Sequence, residues 1–126
     1  MRTVLDTSVL VRATLEPVPG ELAVSAASLA ELHFGVLVAR DDETRALRLR
    51  RLGLVERLFE PLPVDDAVAR AYGRVASAVV RAGRQPRSRV MDLLIAATAL
   101  AHDARLVTAN ADDLRGLEGL VEVVAA

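Results

Sequence analysis

Apolar and polar positions change period several times along the chain, and each change predicts an element. Thr3 to Val11 is a nearly unbroken run rich in Val and Leu, too short for a helix, and reads as a first buried strand. Pro17, Pro19 and Gly20 punctuate a loop, after which Glu21 to Ala26 alternates as a second short strand. Ser28 reads as an N-cap with Glu31 in capping-box spacing, which predicts a helix continuing to Arg40. Asp41, Asp42 and Glu43 complement the dipole of a further helix, whose apolar stripe of Leu47, Leu54 and Leu58 reaches about Phe59. Pro61 to Val64 is an extended connector; Asp65 or Asp66 caps a helix running to Arg81 and stopped at Gly83. Arg84 to Arg89 is a loop, Met91 to Ala101 an almost wholly apolar helix, Arg105 to Thr108 a third strand and Leu120 to Val124 a last one. Strands apolar on both sides and alternating with helices predict an α/β fold, a mainly parallel sheet covered on both faces. No repeat, linker or low-complexity tract interrupts residues 1–126, which read as one domain.

Carboxylates break this pattern. Asp6 lies inside the first apolar run, where an unpaired buried charge costs roughly several kcal/mol, so it stands at the strand's end or has a cationic partner. Glu31 and Asp92 sit in apolar helices, and Asp113 follows the third strand beside Asn110 and Asp112. Each has an ordinary reading: a cap for a short helix at Asp6, the capping-box partner at Glu31, an N-cap at Asp92, and a plain turn at Asn110 to Asp113. Together they gather acids among Leu, Val and Ala with no adjacent arginine to neutralise them all. A divalent cation resolves that, and oxygen donors suit magnesium or manganese. Such sites serve metal-assisted phosphodiester hydrolysis. His33 and His102 read as packed or hydrogen-bonded side chains.

Composition narrows the chemistry. There is no cysteine, which excludes disulfides, zinc-thiolate sites and a cysteine nucleophile, and fits a reducing, cytoplasmic setting. All 16 basic residues are arginine, and without lysine P-loop hydrolysis, pyridoxal Schiff bases and receiver-domain signalling fall away. No stretch reads as a membrane span or signal peptide. The formal net charge is only -1, yet Ala67 to Met91 holds six arginines and no acid. Arg84, Arg87 and Arg89 lead up to Asp92 and are candidates for contact with the phosphates of a nucleic acid. Arg70 and Arg74, like Arg45, Arg48, Arg50, Arg51 and Arg57, read as solvated helix surface. Tyr72, Phe34 and Phe59 are the only aromatics available for base stacking.

"VLDTSVLV", "SLAELHFGV", "MDLLIAATALAHDARLVTAN" and "DDL", in that order, resemble the PIN domain, and within it the VapC toxins of bacterial toxin-antitoxin pairs. The resemblance covers nearly the whole chain and implies a three-layer α/β/α sandwich with metal-dependent endoribonuclease activity. It implies Asp6, Glu31 and Asp92 as core acids, Asp6 and Asp92 as principal Mg2+ or Mn2+ ligands, and Ser8 in support. Asp113 or Asn110 would complete the site, although relatives often carry Asp where Asn110 stands. RNA as substrate, a VapB-like antitoxin and a homodimer are the implied partners. The segment from Arg12 to Leu22 departs from the helical hairpin of many relatives by its shortness. Two other functions fit the residues: a non-catalytic interaction module on a PIN scaffold, or a magnesium-dependent phosphatase, which would want a second Asp at Ser8.

Overall fold

The structure, a computed structural model, describes residues 2–12 and 20–126. The loop expected at Pro17 and Pro19, and most of the shortened early segment, lie outside the described residues. Four strands, β1 (Arg2–Leu5), β2 (Glu21–Ala23), β3 (Arg105–Thr108) and β4 (Val123–Ala125), form a sheet in the order β2-β1-β3-β4, with every neighbouring pair parallel. Around it stand α1 (Thr7–Leu10), α2 (Ala26–Leu37), α3 (Asp42–Leu58), α4 (Asp66–Arg81) and α5 (Val90–Ala101). The result is the three-layer α/β/α sandwich that strand-helix alternation predicts.

Alternation along the strands makes the layers. Val4 and Leu106 are register partners and pack into one apolar cluster with α4 and α5. Leu5 and Val107, one position on, pair in the next register and point into a second cluster with α1, α2 and α3. Side chains one residue apart on a strand face opposite ways, so both faces of β1 and β3 are apolar and both are covered.

The second strand is shorter than expected, ending at Ala23, and the last runs over Val123–Ala125 and not from Leu120; three further elements differ in kind. The first apolar run is not one strand: β1 stops at Leu5, and Asp6, with extended backbone, opens the short helix α1 by accepting the Ser8 amide. The capping box is not formed. Ser25 caps α2, its hydroxyl accepting the Ala27 amide, and Ser28 is buried one turn inside the helix. The buried positions of α3 are Leu52 and Val55, whereas Leu47, Leu54 and Leu58 are exposed. These two sets lie roughly a third of a turn apart at about 3.6 residues per turn. Tertiary packing chose a side of the helix that its weak amphipathic pattern did not specify. By contrast Asp65 caps α4 through the Val68 amide, and Gly83, at φ 78, ends it as expected. The loop before α5 contains a 3-10 turn over Pro86–Arg89, and a second such turn spans Ala111–Leu114. Among the described residues no helix is long and apolar enough to cross a membrane.

Candidate active site

Because β1 and β3 are parallel neighbours, their carboxyl ends lie side by side, and functional groups of open α/β sheets collect beyond such ends. Asp6 follows β1 and its amide donates to the Val107 carbonyl at 2.9 Å. The residue is only 6% exposed, and three donors converge on its carboxylate Oδ2 alone: the Ser8 hydroxyl, the Thr108 hydroxyl at 3.0 Å and the Ser8 amide at 3.4 Å. The two hydroxyls are oriented from behind, since Ser8 Oγ accepts the Ala109 amide and Thr108 Oγ1 the Asn110 amide, both at 3.0 Å. Hydroxyl dipoles thus solvate Asp6 in place of water, and Oδ1 receives none of these bonds.

Glu31 reaches the same edge from α2. Thr7 donates its hydroxyl to Glu31 Oε1 at 2.7 Å, and that hydroxyl also lies 3.0 Å from Ser28 Oγ. Burial pushes the Glu31 carboxyl above its ordinary range; the Thr7 bond opposes this, and repulsion from Asp92 and Asp6 adds to it. Asp92 arrives from the other layer, in the first turn of α5. It is no N-cap: Arg89 holds that position without a side-chain capping bond. Burial raises its pKa too, and repulsion from Asp6 adds to this; Arg89 pulls it back, and Asp113 pushes it up. The carboxylates of Asp6, Glu31 and Asp92 therefore feel one another across the edge of the sheet.

Asp113 is held differently. Its carboxylate pairs with Arg89 at 3.3 Å, and the same guanidinium donates to the Asp113 carbonyl at 3.1 Å. Asn110 is exposed, and its side chain caps nothing in the 3-10 turn that follows. Arg84 also faces this turn, donating to the carbonyls of Asp112 at 3.5 Å and Arg115 at 3.3 Å. Of the three candidate RNA-contacting arginines, Arg87 alone is exposed with no such tie. Thr7 and Thr108 were not among the sequence candidates; a hydroxyl at the carboxyl end of each strand, the last residue of β3 and two residues past β1, was the available signal. The Arg89 to Asp113 pair joins segments with α5 and β3 between them and left no local trace.

The donor set fits a hard divalent cation: oxygen atoms only, mutually repelling, with one Asp6 oxygen left over. Neither histidine competes, since His33 lies 3.4 Å from Glu56 on the surface and His102 meets Arg2 at 3.0 Å by the opposite edge of the sheet. No three acids among the described residues form a ready cage.

A parallel α/β/α sandwich with acids just after β1 and on α2 and α5 at the carboxyl edge defines a class of protein, and the chain belongs to it: the PIN domain family, whose model matches residues 3–119. Its similarity is to proteins named VapC. Ribonuclease VapC5 of Mycobacterium tuberculosis is 39% identical over 126 residues, covering 95% of this chain and 90% of that protein. Ribonuclease VapC4 of the same organism is 41% identical over 92 residues, covering 73% and 68%. The crystal structure of VapBC-5, a toxin-antitoxin system of M. tuberculosis, superposes with a TM-score of 0.84 at 38% identity, covering 98% of this chain and 96% of that one.

Proposed function

We propose that the chain is a VapC-type endoribonuclease toxin that hydrolyses RNA phosphodiesters with the help of Mg2+ or Mn2+ and is restrained by a VapB-like antitoxin. The observation that carries this is that Asp6, Glu31 and Asp92, brought in by both layers, lie near enough to repel one another, in a PIN-domain chain similar to named ribonucleases. A bound divalent ion would lower the pKa of water and stabilise charge developing on the phosphoryl oxygens. Asp6 and Asp92 would hold it. Ser8 and Thr108 keep the Asp6 carboxylate in one orientation, and Ser8 is thereby occupied as a donor and unsuited to be a nucleophile. Glu31, with its raised pKa and its anchoring bond to Thr7, is suited to take a proton from an attacking water. Arg87 would meet RNA phosphates directly; Arg84 and Arg89 would do so while bracing the turn that carries Asn110 and Asp113.

Partner binding has its own support. Phe34 and Leu37 on α2, and Leu47 and Leu58 on α3, are more than half exposed. That apolar surface is what an antitoxin helix would cover. The equally apolar α5 helix is covered by α4 within the chain.

The test is RNA cleavage by the purified chain with Mg2+, with Mn2+ and with chelator, for the natural sequence and for Asp92→Asn. Since Asp92 caps nothing, the substitution keeps the fold and removes cleavage by a factor of at least ~100, the scale of losing a positioned catalytic group. An Asp92→Asn chain as active as the original, or activity indifferent to chelation, would overturn the reading.

A further inference from the structure

The outward side of α4 carries Arg70, Arg74, Ser77 and Arg81, at spacings i, i+4, i+7 and i+11. At about 100° per residue these four fall within roughly 60° of arc, a stripe about 16 Å long. As sequence, Arg70 and Arg74 read as solvated helix surface. The structure adds a shape: Arg70, Gly73, Arg74, Ser77, Arg81 and Leu120 line one surface hollow. It adjoins a second, bordered by Arg81, Gly116 and Glu118. No acid faces the first hollow, and Glu118 in the second is engaged by the Gly116 amide at 2.9 Å. Among the described residues Arg81 donates to the Ser77 hydroxyl at 2.9 Å and forms no ion pair with a carboxylate.

The stripe also leads somewhere. Arg81 ends α4; Arg84 follows, on the carbonyls of Asp112 and Arg115; Arg89 comes next, on Asp113, and Asp92 is one turn further. Cations therefore run from the acidic edge of the sheet back along α4. We propose that this α4 stripe is an extended phosphate track that holds the RNA strand beyond the segment being cut. The inference rests on the ribonuclease reading and deepens it. A protein partner fits less well, because interface hot spots need aromatic or aliphatic anchors in pockets and the first hollow offers only Leu120. A polyanion needs only unpaired guanidinium groups in line, with small residues such as Gly73 and Ser77 leaving room for the backbone.

The experiment measures affinity for a labelled single-stranded RNA of roughly 20 nucleotides, longer than a ~4–16-nucleotide single-fold site, as a function of salt. Every protein carries Asp6→Asn so that the RNA survives. Adding Arg70→Gln, Arg74→Gln and Arg81→Gln should weaken binding at least ~10-fold and flatten the log-log salt slope by about 2, near 0.7 per lost contact. A control with Arg40→Gln, Arg50→Gln and Arg57→Gln removes the same charge from the α2 and α3 side of the sheet and should change far less. Equal losses in the two triples would reduce the effect to net charge and overturn the track. So would unchanged affinity and slope in the α4 triple, with the ribonuclease reading left standing. A triple that keeps RNA binding but loses self-association or antitoxin binding would make the stripe a protein interface and overturn it as well. Failure of the parent to bind RNA, together with failure of the unsubstituted chain to cleave it, would remove the ribonuclease reading itself.

Discussion

The two helical layers treat their apolar residues in opposite ways. In one, α4 turns Val68, Ala71, Val75, Ala78 and Val79 inward onto α5, whose Ile95, Ala96, Ala97 and Ala99 are fully buried. Apart from Val80, the outer side of α4 is left to small and polar residues. In the other, α2 and α3 close over a smaller cluster and leave Phe34 66%, Leu37 78% and Leu58 66% exposed. Both layers contain ample apolar sequence; only the first uses it up. A layer that completes itself is free to present charge to a polyanion, whereas a layer with apolar surface to spare is built to be finished by another chain.

The sharpest way to break this contrast is to truncate one residue on each side. Ile95→Ala removes a fully buried side chain and should cost about 2–5 kcal/mol of unfolding free energy. Leu37→Ala should lie within ~0.5 kcal/mol of the parent, because water already covers it. Urea unfolding of the isolated chain measures both. If Leu37→Ala destabilised it as much as Ile95→Ala, the α2 surface would already be buried in a self-assembly.

The layers meet at the acids, since Glu31 comes from one and Asp92 from the other. An ion held between them would tie α5 to β1. Mg2+ at about 100 times its dissociation constant should stabilise the natural chain by about 2.7 kcal/mol, and Asp92→Asn far less. Thermal melts with and without the ion give the answer; equal shifts in the two proteins would place the ion elsewhere.

Smaller again is the expected effect on the partner. Substituting Phe34 and Leu37 together by Ala should weaken antitoxin binding by about 2 kcal/mol or more, roughly 30-fold, without changing RNA cleavage by the free chain. Calorimetric titration with the antitoxin measures it. Unchanged affinity would mean that the surplus apolar surface of α2 serves something else.

How much of this was legible in the sequence follows the same division. The helices α4 and α5 and the strand β3 came through because their patterns are strong: a regular inward face, a wholly apolar run, a β-branched segment before a turn. The stripe on α3 misled because Leu and Arg alternate around that helix, so several sides were nearly equivalent until α2 packed on one. Ser28 and Glu31 have capping-box spacing, yet Ser25 takes the cap and Glu31 turns to Thr7, a partner 24 residues away. Asp6, Glu31 and Asp92 stood out because a carboxylate in an apolar run is costly wherever the fold places it. Thr108 on Asp6 and Arg89 on Asp113 depend on contacts between distant segments, which no local pattern carries.

The smallest expected effect tests whether the two layers' acids strain each other without an ion. Glu31 and Asp92 both have raised carboxyl pKa values in the folded chain, first through burial and then through repulsion from neighbouring acids. A raised acid pKa means that the folded state binds the proton more tightly than the unfolded one. The stabilisation is complete below the ordinary carboxylate value near ~4 and is lost as pH rises through the raised folded values. At neutral pH the ionised pair therefore costs stability, by less than ~1 kcal/mol because both groups are only half-buried and solvent screens them. Asp92→Asn should consequently melt slightly higher than the parent at pH 7 in chelator. As the pH falls toward 4 the difference should shrink, since the parent then neutralises its own carboxyls. With Mg2+ present the order should reverse, because the ion needs the charge that the substitution removes. A substituted chain that melts lower than the parent at pH 7 in chelator would mean that Asp92 is satisfied where it stands and does not press against Asp6.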